Sequence, residues 1–217
     1  MPALPPDATA GLFGKLPARG DFVRENLPRD FIDGWDGWWQ RGLAETQARW
    51  RDDWYDAWLE APVWRFLLPP GLCGKNGVLG LWLPSVDKVG RYSPLTIAAA
   101  APCDWLPYVG EMTSFLAAAE EAGRDALEHD LAPADLLQRI QASFTTAEGP
   151  APELAPELAF VPGRTAWWTE GGPRVVARFE TGTALPQGED FAALIDDDWG
   201  ANAAAPAVVV PRASDAS

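Results

Sequence analysis

The chain is poor in the side chains that most enzymes and metal proteins use for chemistry. Its 217 residues include one histidine, His129, and two cysteines, Cys73 and Cys103. A metal site needs several convergent ligands, usually including His or Cys, and a serine or cysteine nucleophile usually needs a histidine base. The sequence therefore predicts no metal, no cofactor and no catalytic residues. So few cysteines form no disulfide framework, and this usage fits a reducing compartment.

Basic residues and long apolar runs are scarce as well. The chain has 17 Lys and Arg residues against 31 Asp and Glu residues, which gives a formal net charge of −14. Such a charge repels phosphate backbones and anionic lipid, so it disfavours nucleic acid and membrane surfaces as partners. No apolar run approaches the ~20 residues of a spanning helix, and the first residues lack the pattern of a secretory signal. We therefore expect a cytoplasmic protein without membrane insertion.

Two glycine–lysine segments have only part of the phosphate-loop pattern. Between Gly11 and Gly14 there are two residues, and Leu16 follows Lys15, whereas the Walker A run needs four residues and a Ser or Thr. Gly74-Lys75-Asn76 lacks the same hydroxyl. The acidic run 196–198 has no second ligand cluster, and we interpret it as capping or solvating a helix end.

The apolar spacing predicts one domain over residues 11–199, after a disordered N-terminus (1–10) and before a flexible tail (200–217). An opening strand that runs into a turn is predicted over 12–22, further strands at 63–68, 78–83 and 95–100, and a late hairpin at 164–169 and 174–180. Helices are predicted from Pro28 to about Glu60 with a kink, and at 115–129, 133–144 and 191–195, with a mobile loop at 147–157. Strands in series with short links favour antiparallel pairing. The prediction is an α+β fold, a mostly antiparallel sheet with helices packed against it.

Twelve tryptophans are the most unusual feature of the composition. Several recur at helical spacing, which predicts that the set belongs mainly to a core. Trp167 and Trp168 are adjacent in a predicted strand, so their side chains must face opposite ways. One of the two is expected to face a helical layer, a partner or the solvent.

Two runs combine turn-forming Gly and Pro with single charges and large apolar anchors. Their candidate interaction and turn residues are Lys15, Pro17, Gly20, Asp21, Trp35 and Asp36 in the first run, and Ser85, Asp87, Gly90 and Arg91 in the second. We predict that Asp87 and Arg91 form an ion pair that fixes a turn between two strands, and that Lys15 and Asp21 bracket the first turn. These residues either stabilise turns only, or hold rigid turns that a partner recognises. The sequence leaves both interpretations open.

The two runs resemble the signature of the TagF (ImpM) family, accessory proteins of the bacterial type VI secretion system. Residues 14–40 are similar to the family's opening block, Trp64 and Phe66 to its tryptophan-bearing strand, and residues 84–96 to its second block. The pair Tyr92-Ser93 departs from the pattern, in which an aromatic residue directly precedes the proline. The likeness is specific over about residues 11–97 and weaker beyond.

The resemblance implies a non-enzymatic regulator that acts after translation to hold secretion off. It implies binding to the forkhead-associated scaffold protein that otherwise promotes assembly of the apparatus, and it supplies no catalytic residues. Two alternatives stay open. The protein could be a structural or assembly component of the apparatus, or a small-molecule-binding or enzymatic domain that uses the turn of Asp87 and Arg91.

Overall fold

A computed structural model of the chain describes residues 5, 7–17, 22–49, 53–109, 113–145 and 160–199. Gly20 and Asp21, the predicted loop 147–157 and the predicted tail 200–217 lie outside the described residues. The helices are α1 (Arg29–Arg49), α2 (Trp54–Glu60), α3 (Thr113–His129), α4 (Pro133–Thr145) and α5 (Glu189–Ala192). The strands are β1 (Thr9–Gly14), β2 (Val23–Glu25), β3 (Trp64–Leu68), β4 (Gly77–Val86), β5 (Tyr92–Ala101), β6 (Thr165–Thr169) and β7 (Arg178–Gly182).

The strands form one seven-stranded sheet in the order β2-β1-β5-β4-β3-β6-β7. Every neighbouring pair is antiparallel, as predicted for the strands in series. The longest ladder joins β4 to β5, from Gly77 opposite Ala101 to Val86 opposite Tyr92. This hairpin lies in the middle of the sheet, and the turn between its strands carries the second signature run.

Helices cover both faces of the sheet, because side chains along each strand alternate between two apolar clusters. On β4, Val78 and Trp82 join the cluster that contains the tryptophans of α1 and α2. Leu79, Leu81 and Leu83 join the opposite cluster, which contains the apolar residues of α3 and α4. The predicted α+β fold is therefore confirmed, as a sheet between two helical layers.

The adjacent tryptophans of β6 divide between these two layers. Trp167 is buried in the aromatic cluster, with its ring centroid 6.1 Å from that of Trp35. Trp168 is half-buried on the other face, where it packs against Phe160 and Phe179. The expectation that they face opposite ways is confirmed, and the face that receives Trp168 is a second apolar layer.

A glycine inside α3 allows that helix to lie close to the sheet. A Cβ at Gly123 would be 2.9 Å from Leu83 Cδ1 and 3.1 Å from Ile97 Cδ1. Glycine costs about 1 kcal/mol in a helix relative to alanine, so its presence here is explained by the close approach. Gly42 of α1 lets Phe191 of α5 approach in the same way, since a Cβ there would be 2.3 Å from the Phe191 ring.

Several predicted boundaries are wrong. Strand β1 begins at Thr9, inside the segment predicted to be disordered, because residues 9 and 10 pair with Ala100 and Ala99 of β5. Strand β7 begins at Arg178 and not at 174, because the backbone groups of Arg174 and Val176 bond to Asp197 instead of to β6. Helix α5 ends at Ala192, and the short strand β2 was not predicted.

Candidate functional site

The two signature runs, far apart in the sequence, meet where β1 lies against the β4–β5 hairpin. Gly14 has a φ of 140°, and a Cβ there would be 2.1 Å from the carbonyl oxygen of Pro94, so only glycine fits. The hydroxyl of Ser85 donates to the carbonyl oxygen of Lys15 at 2.9 Å. The indole of Trp35 donates to Thr96 Oγ1, also at 2.9 Å. The signature therefore describes one place in the fold.

At the centre of this place is the carboxylate of Asp87, whose side chain is 0% exposed. Its Oδ2 accepts from Lys15 Nζ at 3.0 Å and from Arg91 Nε at 2.6 Å. Its Oδ1 accepts from the backbone N–H groups of Val89 at 3.0 Å and Arg91 at 2.9 Å. The predicted ion pair of Asp87 and Arg91 is confirmed. Lys15, which we predicted to bracket the first turn with Asp21, pairs with the same carboxylate.

This network keeps Asp87 ionised. Burial acts to raise the pKa of the carboxyl, but hydrogen bonds from the Arg91 backbone, Lys15, the Arg91 guanidinium and Val89 outweigh it and hold the pKa well below its ordinary value. Since both oxygens are occupied by these donors, the group has no role as a proton donor at neutral pH. We call the contacts of the Asp87 carboxylate with Lys15, Val89 and Arg91 the brace, because they fix the turn between β4 and β5.

Acid is expected to weaken this brace. The folded pKa of Asp87 is depressed, so its stabilising contribution is fully present above its unfolded pKa, about 3.9, and is lost as the pH falls through the folded pKa. Between about pH 5 and pH 3, the free energy of unfolding should therefore fall more in the wild type than in Asp87→Asn. Urea titrations at several pH values measure this, and parallel pH curves for the two proteins would contradict it.

The turn that Asp87 braces is exposed; we call residues 88–91 the hairpin tip. Val89 is 72% exposed and the side chain of Arg91 is 59% exposed. Gly90 has a φ of 80°, and its N–H donates to the Asp87 carbonyl at 3.0 Å, while the Asp87 N–H donates to the Arg91 carbonyl at 3.1 Å. The tip is thus accessible and fixed by the buried carboxylate.

Two exposed apolar residues of α2 lie beside this hairpin and were not identified from the sequence. Tyr55 is 50% exposed, and its ring centroid is 6.0 Å from that of Tyr92, at the base of the hairpin. Leu59, one helical turn further, is 47% exposed and lines a groove together with Leu83 and Pro84 of β4. The available signal was their spacing, because Trp54 and Trp58 occupy the buried face of the same helix. Together with the hairpin tip, Tyr55 and Leu59 form what we call the hairpin surface.

The other candidate residues of the first run take different positions. Lys15 is buried, and its ammonium lies 5.0 Å from the centroid of the Phe22 ring. Pro17 is half-buried after β1. Asp36 is half-buried on α1, where burial raises its pKa and Gln40 Nε2 donates to it at 2.8 Å. Of these, only Lys15 joins Asp87, and Gly20 and Asp21 lie outside the described residues.

The acidic run 196–198 does not simply cap or solvate a helix end. Asp196 is 2% exposed and accepts from Arg174 Nη1 at 3.1 Å, while Asp197 accepts from Arg178 and from the backbone of Val176. Hydrogen bonds from Arg174 to Glu60, Asp53 and Asp196 raise the arginine pKa above its ordinary value. The run therefore fixes the segment after α5 against β7 and the end of α2.

Two of the depressions on the described surface have neither Asp87 nor Arg91 in their lining. A groove of about 650 Å³ lies between α2, α3 and the β6–β7 loop, and a pocket of about 250 Å³ lies beside β7. In the described ranges, no group of three or more His, Cys, Asp or Glu side chains could hold a metal ion. No helix in the same ranges is long and apolar enough to cross a membrane.

Comparison with known proteins places the chain in a class of proteins associated with type VI secretion. The family model described as the TagF N-terminal domain, Type VI secretion system-associated, matches residues 11–143, which include both signature runs. The chain belongs to this TagF family. The crystal structure of PA0076 from Pseudomonas aeruginosa PAO1 is similar, with 31% sequence identity and a TM-score of 0.72. The match covers 87% of this chain and 94% of that chain. Among curated proteins, none matches the chain.

Proposed function

We propose that this protein is a cytoplasmic, non-enzymatic regulator that represses type VI secretion after translation by binding a forkhead-associated scaffold protein. Family membership supports the secretion system as its setting. The observation that carries the binding proposal is the hairpin tip, which is exposed at Val89 and yet braced by a fully buried carboxylate. A turn that is already ordered loses little conformational freedom on binding, which favours affinity.

The proposed mechanism is occlusion. The hairpin surface combines the exposed apolar residues Val89, Tyr55 and Leu59 with the cations Lys88 and Arg91, in a chain whose net charge is −14. Apolar and aromatic anchors next to a few charges are the usual composition of an interface centre. Binding at the hairpin surface would cover a surface of the scaffold protein that is needed for assembly of the apparatus.

An enzymatic use of the Asp87 and Arg91 turn is disfavoured by its geometry. The carboxylate is buried, both of its oxygens accept hydrogen bonds, and neither depression described above reaches it. A substrate would have to break the brace before it could contact Asp87. The exposed parts of the turn are suited to contact with another polypeptide.

Affinity capture from the native cell tests the proposal. We expect the forkhead-associated protein to co-purify with the wild type, and Val89→Asp to weaken its capture at least about tenfold, because a charge replaces an interface anchor. Val161→Asp is a matched control, since Val161 is 42% exposed and precedes β6 rather than lying on the hairpin. Equal thermal stability of the two variants shows that folding is not the cause.

If Val89→Asp left capture unchanged, the hairpin surface would not be the binding site. If the scaffold were absent from the captured proteins, the proposed partner would be wrong.

Deletion of the gene distinguishes a repressor from an assembly component. We expect secretion to rise in the deletion strain, whereas loss of secretion would identify a structural component of the apparatus. Secretion is measured as the amount of a secreted substrate of the apparatus in culture supernatant.

A further inference from the structure

A small pocket lies at the edge of the sheet, away from the hairpin surface. Its floor comes from Thr165 and Trp167 of β6 and from Gly182 and Glu180, their direct partners on β7. Residues directly opposite each other on paired strands share a face, so these four side-chain positions point the same way. Leu185 and Pro186 line the pocket too, and its volume is about 250 Å³. We call it the β7 pocket.

Two polar atoms of the floor have no hydrogen-bond partner within the described part of the protein. They are Thr165 Oγ1 and Trp167 Nε1, and neither is in contact with bulk solvent. The indoles of Trp39 and Trp82 also have no such partner, but those two residues line neither depression, whereas Thr165 and Trp167 both line the β7 pocket. Buried groups of this kind are costly, and a native protein that keeps them usually has a reason.

The charges of the β7 pocket restrict what could satisfy these atoms. Two carboxylates, Glu180 and Asp190, belong to its lining, and no basic residue does among the residues described. Glu180 is paired with Arg178 Nε at 2.6 Å, from outside the lining. An anion would be repelled by these carboxylates. A simple cation would leave Trp167 unpaired, because an indole N–H needs an acceptor.

We propose that the β7 pocket binds a neutral carboxamide group. Its carbonyl oxygen would accept from Trp167 Nε1, and its NH2 would donate to Thr165 Oγ1 and towards the carboxylates, so both unpartnered atoms are satisfied at once. The group belongs to a free small amide or to an Asn or Gln side chain of a polypeptide. This inference goes beyond the proposed repression of secretion and does not depend on it.

The walls of the β7 pocket indicate how the group would enter. Trp38 Nε1 donates to the Pro186 carbonyl oxygen at 2.6 Å, which ties one wall to the aromatic core. Thr183 and Ala184, which also line the pocket, are exposed and belong to no helix or strand. Since Thr165 Oγ1 and Trp167 Nε1 are both covered in the free protein, a ligand would reach them by displacing this rim, while the floor stays fixed.

Titration with acetamide tests the site directly. The readout is the indole N–H resonance of Trp167 in a 15N-labelled full-length chain, assigned with Trp167→Phe. We expect a saturable shift with half-saturation in roughly the millimolar range, as suits a ligand of so few atoms. Acetate, an anion of similar shape, should give no saturable shift. N-acetylglutamine methylamide distinguishes the sources: tighter binding than acetamide identifies a polypeptide side chain, and weaker binding a free small amide.

Thr165→Val gives the decisive variant, because valine keeps the shape and removes the hydroxyl. It should weaken the acetamide response at least about tenfold and raise Tm by about 2–4 °C, since an unpaired buried hydroxyl is removed. Thr145→Val, at the exposed end of α4, should change neither. Gly182→Ala is a second variant: its Cβ would be 3.0 Å from Thr165 Oγ1 and should also weaken the response.

The outcomes against the proposal are distinct. A Tm lowered by Thr165→Val would mean that the hydroxyl is already bonded in the free protein. A Trp167 resonance that does not respond to acetamide, or responds equally to acetate, would mean that the pocket takes water only or binds without selectivity. Neither result would affect the capture experiment on the hairpin surface.

Discussion

Asp87→Ala is expected to lower the free energy of unfolding by about 3 kcal/mol, because it leaves the ammonium of Lys15 buried without its partner. Lys15 is 4% exposed and lies 3.0 Å from the carboxylate that would be lost. The variant also removes the acceptor of the backbone N–H groups of Val89 and Arg91, so the hairpin tip should loosen too. Urea denaturation measures the loss of stability, and amide hydrogen exchange at residues 88–91 measures the loosening.

Two controls separate the buried charge from the rest of the network. Arg91→Ala should cost much less, because the Arg91 side chain is 59% exposed and water can replace it. Lys15→Met combined with Asp87→Asn should be more stable than Asp87→Ala, since no unpaired charge stays buried and the asparagine oxygen can still accept from the tip. If Asp87→Ala cost no more than Arg91→Ala, the buried brace would be refuted and Asp87 would act only at the surface.

The brace changes how the signature should be understood. The sequence left two interpretations open for its charged residues, and the structure divides the run into a buried part and an exposed part. Lys15, Ser85 and Asp87 are buried and hold the β4–β5 turn, whereas Val89 and the Arg91 guanidinium face outward. A substitution inside the brace therefore affects stability first, and a substitution at the exposed tip is the one that tests the proposed recognition.

Local features of the fold were predictable from the sequence because local spacing determines them. Strands β3, β4 and β5 follow one another with short links, so their existence and antiparallel pairing could be predicted, although β4 and β5 each extend three residues further towards the turn than predicted. The ion pair of Asp87 and Arg91 spans one turn, and the glycine between them indicated that turn. Helices α3 and α4 were predictable as well, because their apolar residues recur regularly at helical spacing.

Features that depend on distant residues could not be predicted in the same way. Lys15 pairs with Asp87 across 72 positions, and no local pattern indicates that β1 lies beside β5. The start of β7 was wrong because Asp197, some twenty residues later, competes for its backbone groups. The spacing from Trp54 and Trp58 indicated that Tyr55 and Leu59 are exposed, but their position relative to the hairpin depends on how α2 packs against the sheet.

The tryptophans illustrate both cases. Their helical spacing predicted a core, and Trp35, Trp38 and Trp39 of α1 are buried as expected. Their partners come from the whole chain, including Phe66 of β3 and Trp167 of β6. Aromatic rings bury large areas and prefer tilted or stacked contacts, so one cluster can join α1 to strands that follow much later.

Trp35→Ala should be the most destabilising single substitution in this cluster, at about 5 kcal/mol. The side chain is fully buried, and its ring centroid lies 4.6 Å from that of Phe66 and 4.8 Å from that of Trp38. Its loss would leave a large cavity between α1 and the sheet and would deprive Thr96 of its indole donor. Since a domain is stable by only about 5–15 kcal/mol, we expect little or no folded protein at 37 °C. Near-UV circular dichroism and urea denaturation measure this.

Trp35→Phe separates packing from hydrogen bonding at the same position. Phenylalanine keeps most of the ring contacts but donates nothing to Thr96 Oγ1, so we expect a loss of about 1–3 kcal/mol. Tyr55→Ala is the surface control, because that ring is 50% exposed and should cost little stability. A Trp35→Ala protein as stable as Tyr55→Ala would show that the cluster does not join α1 to the sheet. In that case, contacts other than those with α1 would have to stabilise the sheet that contains the β4–β5 hairpin.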